Sequence, residues 1–270
     1  MPSHALQKNN FAGRHRRSAA LLWGVLCHAA FVLAVALMIY VMYTGMQAAW
    51  GTLQGPWRWL ANALLILQFP LLHSFLLTPA GRRLLKRLAP AGFGEPLATT
   101  TYVTIASFQV ILLFALWSPG GTVWWQAEGV ARIMLSLLYA TAWLLLFKSI
   151  ADAGLGLHLG TIGWRAVWKG VRPVYPPMPS SGLFRLCRQP IYLSFALTLW
   201  TVPVWTPDQL FLAVPLTCYC LFGPLLKEKR FNKMYKAEFE DYRRRIPYWL
   251  PRLKPRAVAV TEKTDATAAQ

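Results

Sequence analysis

Six long apolar runs separated by polar gaps set the architecture of this chain, at about 18–43, 59–77, 99–117, 133–147, 190–205 and 209–226. Roughly 20 helical residues cross a bilayer core, so the first three runs span unaided and the last three need flanking residues. The pattern predicts an all-α polytopic membrane helix bundle of six transmembrane helices. Beyond the sixth run Phe231, Tyr235, Phe239, Tyr242 and Ile246 recur every three or four positions, with Lys233, Lys236, Glu240, Arg243 and Arg244 on the other side. That periodicity predicts a C-terminal amphipathic helix with its stripe toward the membrane face or the bundle, ended by Pro247.

The basic residues orient the bundle. Twenty-six of the 28 Lys and Arg lie before the first run, after the second, after the fourth or after the sixth. The intervening gaps hold only Arg58, only Arg132 and, in the third case, no base but Asp208. Loops rich in Lys and Arg stay cytosolic, so both termini are expected inside. The chain is 56% apolar and 14% charged, outside the ordinary soluble range. A net charge of +18 on a soluble protein would suggest nucleic acid. Beside membrane spans it suits anionic lipid instead, so the expected partner is the lipid bilayer and not nucleic acid. The first run is too long for a signal-peptide core and lacks a small-residue cleavage site. Cys27, Cys218 and Cys220 lie in apolar runs and Cys187 follows an Arg-rich stretch, which implies no disulfide framework.

Four regions follow: a disordered basic N-terminus (1–17), a four-helix membrane region (18–150), a loop, hairpin and tail helix (151–256), and a disordered tail (257–270). The loop 151–181 carries glycines at 154, 156, 160, 163 and 170 and prolines through 173–179. Its Trp164, Trp168 and Tyr175 predict a re-entrant or surface-bound element.

Polar groups are dense only in 182–245. Pro190 fits the first position of the fifth helix, because its missing N–H would be unpaired there anyway. The free N–H groups of that first turn and Arg188 make an anion site that fits a carboxylate; equally, Arg188 and Arg185 could hold lipid phosphate. Pro215 and the Gly223-Pro224 pair each remove a helical hydrogen bond, predicting bends that leave carbonyls near Phe211 and Cys220 short of partners. Glu228, among four bases, is either a solvated ion-pair partner or a group that binds ligand hydroxyls and amines. His28 and His73 have no acid or second histidine a helical turn away, and Cys218 and Cys220 point about 200° apart on a helix, so no metal site is expected. His73-Ser74, near the cytosolic end of the second span, is placed to orient an acceptor, and His158 in the Gly-rich loop is a candidate base.

The stretch G-L-F-R-L-C-R-Q-P-I-Y-L from Gly182, a two-span hairpin, K-E-K-R-F from Lys227 and Y-K-A-E-F-E-D-Y-R-R-R-I-P from Tyr235 share their order and spacing with a known pattern. It resembles the C-terminal cofactor module of the isoprenylcysteine carboxyl methyltransferase superfamily: G-P-Y-R-x-x-R-H-P-x-Y, a hairpin, E-E-R, and Y-x-x-Y-x-x-x-V-P. Leu72-His73-Ser74 and Thr101-Tyr102 are similar to its bacterial branch of methanethiol S-methyltransferases and NnrU-like membrane proteins. The resemblance implies S-adenosylmethionine as methyl donor. Arg188 would hold its carboxylate, Tyr192 would line the pocket, Glu228 would take its polar groups, and Tyr242 and Arg245 would close over it. Gln189 stands where the family has His, keeping hydrogen bonding but not proton transfer. Lys227 stands where the family has an acid, and beside a sulfonium its charge would repel by around 1 kcal/mol or more. Methyl transfer is an in-line displacement that needs alignment and a dry site. The implied function is methylation of a small or lipophilic thiol or carboxylate entering from the lipid side, with His158 and His73 as catalytic candidates, in a bacterial inner membrane. The alternatives are a non-catalytic NnrU-like accessory protein and a phospholipid N-methyltransferase.

Overall fold

The computed structural model describes residues 3–90 and 93–252; the tail 257–270 lies outside the described residues. Among the described residues five helices are long and apolar enough to cross a membrane. They are α1 (Ser3–Tyr43), α2 (Gly55–Leu76), α4 (Gly94–Ala115), α5 (Gly129–Asp152) and α9 (Pro207–Tyr235). Short α3 (Pro79–Leu88) joins α2 to α4 on the base-rich face. The protein is an all-α polytopic membrane bundle. The polar stretch before residue 18, expected to be disordered, is helical from Ser3 onward as the first part of α1.

The fifth run departs from expectation. Only Pro190–Trp200 is helical (α8), and its 11 residues reach about 16 Å, half of a bilayer core. The chain then extends into β2 (Val204–Trp205), which pairs antiparallel with β1 (Trp125–Gln126), Trp125 opposite Trp205. Backbone outside a helix must find partners within the protein at membrane depth. Here Trp124 N donates to Trp205 O, Ala127 N to Pro203 O, both at 2.9 Å, and the Gln209 side chain donates to Leu199 O at 2.8 Å. Below this ribbon the bundle is held by Met42, Met46, Phe114, Trp117, Leu199, Leu212 and Leu216.

The Gly-rich loop is helical and docked. It forms α6 (Leu155–His158) and α7 (Thr161–Lys169), and α7 lies against α1 and α4. The contact depends on Gly24, where a Cβ would come within 2.6 Å of the Trp164 ring. Trp164 Nε1 donates to His28 Nε2 at 3.1 Å, so His28 serves packing. Thr100 Oγ1 accepts from Trp164 N at 3.2 Å and donates to Gly160 O at 2.7 Å.

The amphipathic tail is two helices, not one. α9 ends at Tyr235, and Lys236 (φ 46°, ψ −118°) turns the chain into α10 (Ala237–Arg245). A positive φ is uncommon for a residue with a side chain. The stripe still buries as a unit, with Phe239, Tyr242 and Ile246 packed on Met178 of the Pro-rich segment and Phe231 and Tyr235 beside them. Its apolar face is therefore covered by the chain's own loop.

Candidate functional site

The site forms where three segments meet. Gly182–Arg185 makes one 3-10 turn, Gln189 precedes the first residue of α8, and Glu228 sits on α9 four residues beyond Pro224. Arg188 Nε donates to Glu228 Oε1 at 2.9 Å and Nη2 to Oε2 at 3.3 Å, the forked geometry that suits a guanidinium and a carboxylate. Its Nη1 donates to the carbonyls of Arg243 at 3.0 Å and Ile246 at 2.8 Å, the last turn of α10. Arg188 N donates to Pro247 O at 2.9 Å. One residue thus ties the hairpin, α9 and the tail together.

Gln189, 1% exposed, extends the cluster. Its Nε2 donates to Glu228 Oε1 at 2.8 Å and its Oε1 accepts from Lys227 Nζ at 2.9 Å. Lys227 Nζ also lies 5.7 Å from the ring centres of Phe184 and Tyr192 and 5.4 Å from that of Phe231, within cation–π range of all three. Tyr242 Oη donates to Phe184 O at 2.7 Å; burial raises that phenol's pKa, so it stays protonated as a donor. Burial also raises the thiol pKa of Cys187 next to the cluster, and pushes Tyr248, whose ring lies 5.5 Å from the Arg188 guanidinium, up to about 12. Tyr248 Oη donates to Leu221 O at 2.7 Å, next to the Cys220 carbonyl whose helical donor Pro224 removes. Arg188, Gln189, Lys227, Glu228, Phe231 and Tyr242 line a cavity of about 10 Å³, room for one water.

Of the residues expected in the site, Arg188, Gln189, Glu228 and Tyr242 converge, and Tyr192 shares Lys227 with them. Arg245 does not converge with them: it pairs with Asp241 one turn back and is half exposed. His158 has its Nδ1 at 3.1 Å from Gly154 O, and its pKa is lowered, first by burial and then by the Lys227 charge, against the Gly154 bond. His73 sits on another wall, 2.7 Å by Nε2 from Tyr102 Oη. Phe184, Phe231 and Tyr219 were not expected as site residues, and Lys227 was expected there only as a charge that repels the donor. The signal for two of them is in the sequence, since Tyr219, Gly223, Lys227 and Arg230 follow one face of α9 at helical spacing. Among the described residues no group of three or more His, Cys, Asp or Glu is placed to hold a metal.

A membrane helix bundle whose last hairpin and tail close around a buried Arg–Glu–Gln cluster defines the class, and comparisons with known proteins supply the family. The chain is 28% identical over 246 residues to methanethiol S-methyltransferase 2 of Bradyrhizobium diazoefficiens, covering 88% of this chain and 92% of that protein. It is 30% identical over 196 residues to methanethiol S-methyltransferase 1 of the same organism (70% and 66% covered), and 26% identical over 215 residues to the methanethiol S-methyltransferase of Pseudomonas deceptionensis (78% of each). No family model and no solved structure matches the chain. The chain is thus similar to methanethiol S-methyltransferases, which belong to the isoprenylcysteine carboxyl methyltransferase-like family.

Proposed function

We propose that this protein is an S-adenosylmethionine-dependent methyltransferase of the bacterial inner membrane that methylates a small thiol, with both termini and the site on the cytosolic side. The observation that carries the reading is the convergence of Arg188, Gln189 and Glu228 under the tail helix. The printed names of the relatives supply the thiol, and the distribution of Lys and Arg supplies the orientation.

The donor set suits the methyl donor chemically. A forked guanidinium fits its carboxylate, and Glu228 fits its ammonium or hydroxyl groups. Three aromatic faces already surround one cation, Lys227, and the same faces suit a sulfonium. When bound, the donor supplies an activated methyl group; the protein's part is to hold it, align it and keep water out. A cavity of about 10 Å³ does not admit a nucleoside, so the segments that line it must part for the site to load.

The test is titration of the purified protein in detergent with S-adenosylmethionine, followed by assay of thiol, carboxylate and amine acceptors. Saturable binding that is lost in Arg188→Ala and Glu228→Ala, with methylation confined to thiols, is the expected result. A non-catalytic accessory role is the reading that the closed cavity favours; absence of binding at millimolar donor would select it.

A further inference from the structure

On the other side of Lys227 and Tyr192 lies a second polar group that the donor site leaves unused. His73 of α2 stacks on Phe69, ring centres 5.0 Å apart, and its Nε2 is 2.7 Å from Tyr102 Oη of α4. Its Nδ1 is buried and has no hydrogen-bond partner. Tyr219 of α9 comes within hydrogen-bonding reach of Ser74, and its ring lies 6.5 Å from Phe69 and 6.3 Å from Tyr192 of α8. These side chains are half-buried and come together where α2, α4, α8 and α9 meet. A buried imidazole nitrogen without a partner is destabilising, and its retention asks for a ligand.

Resting on the functional reading above, we propose that His73 Nδ1 takes the proton of the acceptor thiol, with Tyr102 holding the opposite nitrogen. Nε2–H donates to Tyr102 Oη, which leaves the Nδ1 lone pair free. The thiol S–H bond breaks with its proton going to Nδ1. The thiol sulfur forms a bond to the methyl carbon, and the carbon–sulfur bond to the donor breaks with its electron pair returning to the donor sulfur. The charged or titratable groups near His73 are Tyr102 at its Nε2, Arg230 and His158, and Tyr192 and Tyr219 stand near Tyr102. No carboxylate is among them, so a thiolate meets cations and hydroxyls. This arrangement also selects among acceptors. A carboxylic acid is already ionised at neutral pH and needs no base, whereas an aliphatic thiol, with a pKa of about 8.5 or above, does.

The test uses the full chain in detergent as wild type, His73→Gln and Tyr102→Phe. Gln retains a group near the Nε2 position and has none at Nδ1. Three quantities are read: affinity for S-adenosylmethionine, thiolate absorbance when ethanethiol is added with S-adenosylhomocysteine in place, and methylation rate against pH. In His73→Gln donor affinity stays within about twofold, the thiolate signal is lost and the rate at neutral pH falls about 100-fold. That residual rate climbs about tenfold per pH unit toward the pKa of the thiol, while the wild-type rate changes little there. Tyr102→Phe gives a smaller loss in the same direction, about tenfold. A His73→Gln variant with wild-type rate and pH profile overturns the inference and leaves the methyltransferase reading standing, and so does one that loses donor binding. A wild type that binds no donor or methylates no thiol removes both.

Discussion

Lys227 Nζ and Gln189 Oε1 are joined by a 2.9 Å hydrogen bond, and these are the two departures from the family pattern that change charge or proton-transfer chemistry. The departures therefore compensate each other. An ammonium donates to an amide oxygen, and the same amide passes its N–H to Glu228 at 2.8 Å. The repulsion expected from Lys227 is met by this oxygen, by the neighbouring acid and by three ring faces. Lys227→Glu alone sets two acids against each other beside the amide, and Gln189→His alone sets a donor or a cation against the ammonium. Each single change is expected to cost about 1 to 2 kcal/mol in stability or donor binding, and the double change Gln189→His/Lys227→Glu less than their sum, because contacting residues couple. A double-mutant cycle by thermal unfolding and donor titration reads the coupling; additive costs would show the two positions to be independent.

Arg188 is expected to resist its nearest replacement. Lysine keeps the charge but offers a point donor in place of a fork, and cannot reach two carboxylate oxygens and two carbonyls together. Arg188→Lys should destabilise the protein by about 3 kcal/mol, as for other ion pairs largely removed from water. The loss should concentrate in the tail, because the carbonyls of Arg243 and Ile246 lose their donor. Limited proteolysis should then cut beyond Lys236 faster than in wild type, and equal cutting would show that Arg188 does not hold the tail.

Acid should weaken the protein through His158. Its folded pKa lies below the ordinary imidazole value of 6.5, with burial the largest cause. A base whose folded pKa is depressed binds fewer protons folded than unfolded, so its contribution to stability is lost as pH falls below about 6.5 toward the folded value. His158→Asn is expected to flatten the stability curve between about pH 6.5 and 5 and to leave it unchanged above pH 7.5. Chemical denaturation at a series of pH values reads the slope.

Much of this was legible in the chain because membrane burial leaves little choice. Apolar runs and the placement of Lys and Arg outlined the helices, and Arg188, Gln189 and Glu228 were recognisable from spacing that holds across a hairpin. The rest depended on tertiary partners. Nothing local says that the fifth run stops being helical at Trp200; the ribbon pairing Trp125 with Trp205 decides it. Nothing in a clean amphipathic repeat announces the turn at Lys236, which follows from Arg188 and Met178 drawing α10 under the loop. Arg245 was misjudged because one position on α10 separates the stripe, where Tyr242 and Ile246 bury, from the face where Asp241 pairs it in solvent. His73 and Tyr102, 29 residues apart on different helices, show their contact only once α2 and α4 pack.

The opposite face of the bundle rests on one acid. Asp208, fully buried in the first turn of α9, accepts from Trp117 Nε1 at 3.1 Å and from Gly120 N at 2.9 Å, with Gln47 Nε2 at 3.5 Å and the Arg58 guanidinium at 3.9 Å. These partners come from the connections α1–α2 and α4–α5 and from the start of α2, three segments that Ser118 also ties through Leu53 N and the Asn62 side chain. Asp208→Ala strands a buried indole N–H, a backbone N–H and a guanidinium at once, and bonds to a charged acceptor are worth about 1.5 to 3 kcal/mol each. The expected loss is about 3 kcal/mol, since water reaching the loops restores part of it. Asp208→Asn retains one acceptor oxygen but sets an N–H₂ against the other donors, and should fall between wild type and alanine. The site lies at the far end of the bundle, so donor affinity measured well below the melting temperature should be unchanged in both variants. A drop in affinity without a drop in melting temperature would mean that Asp208 is coupled to the donor site and is more than a fastening of the loops.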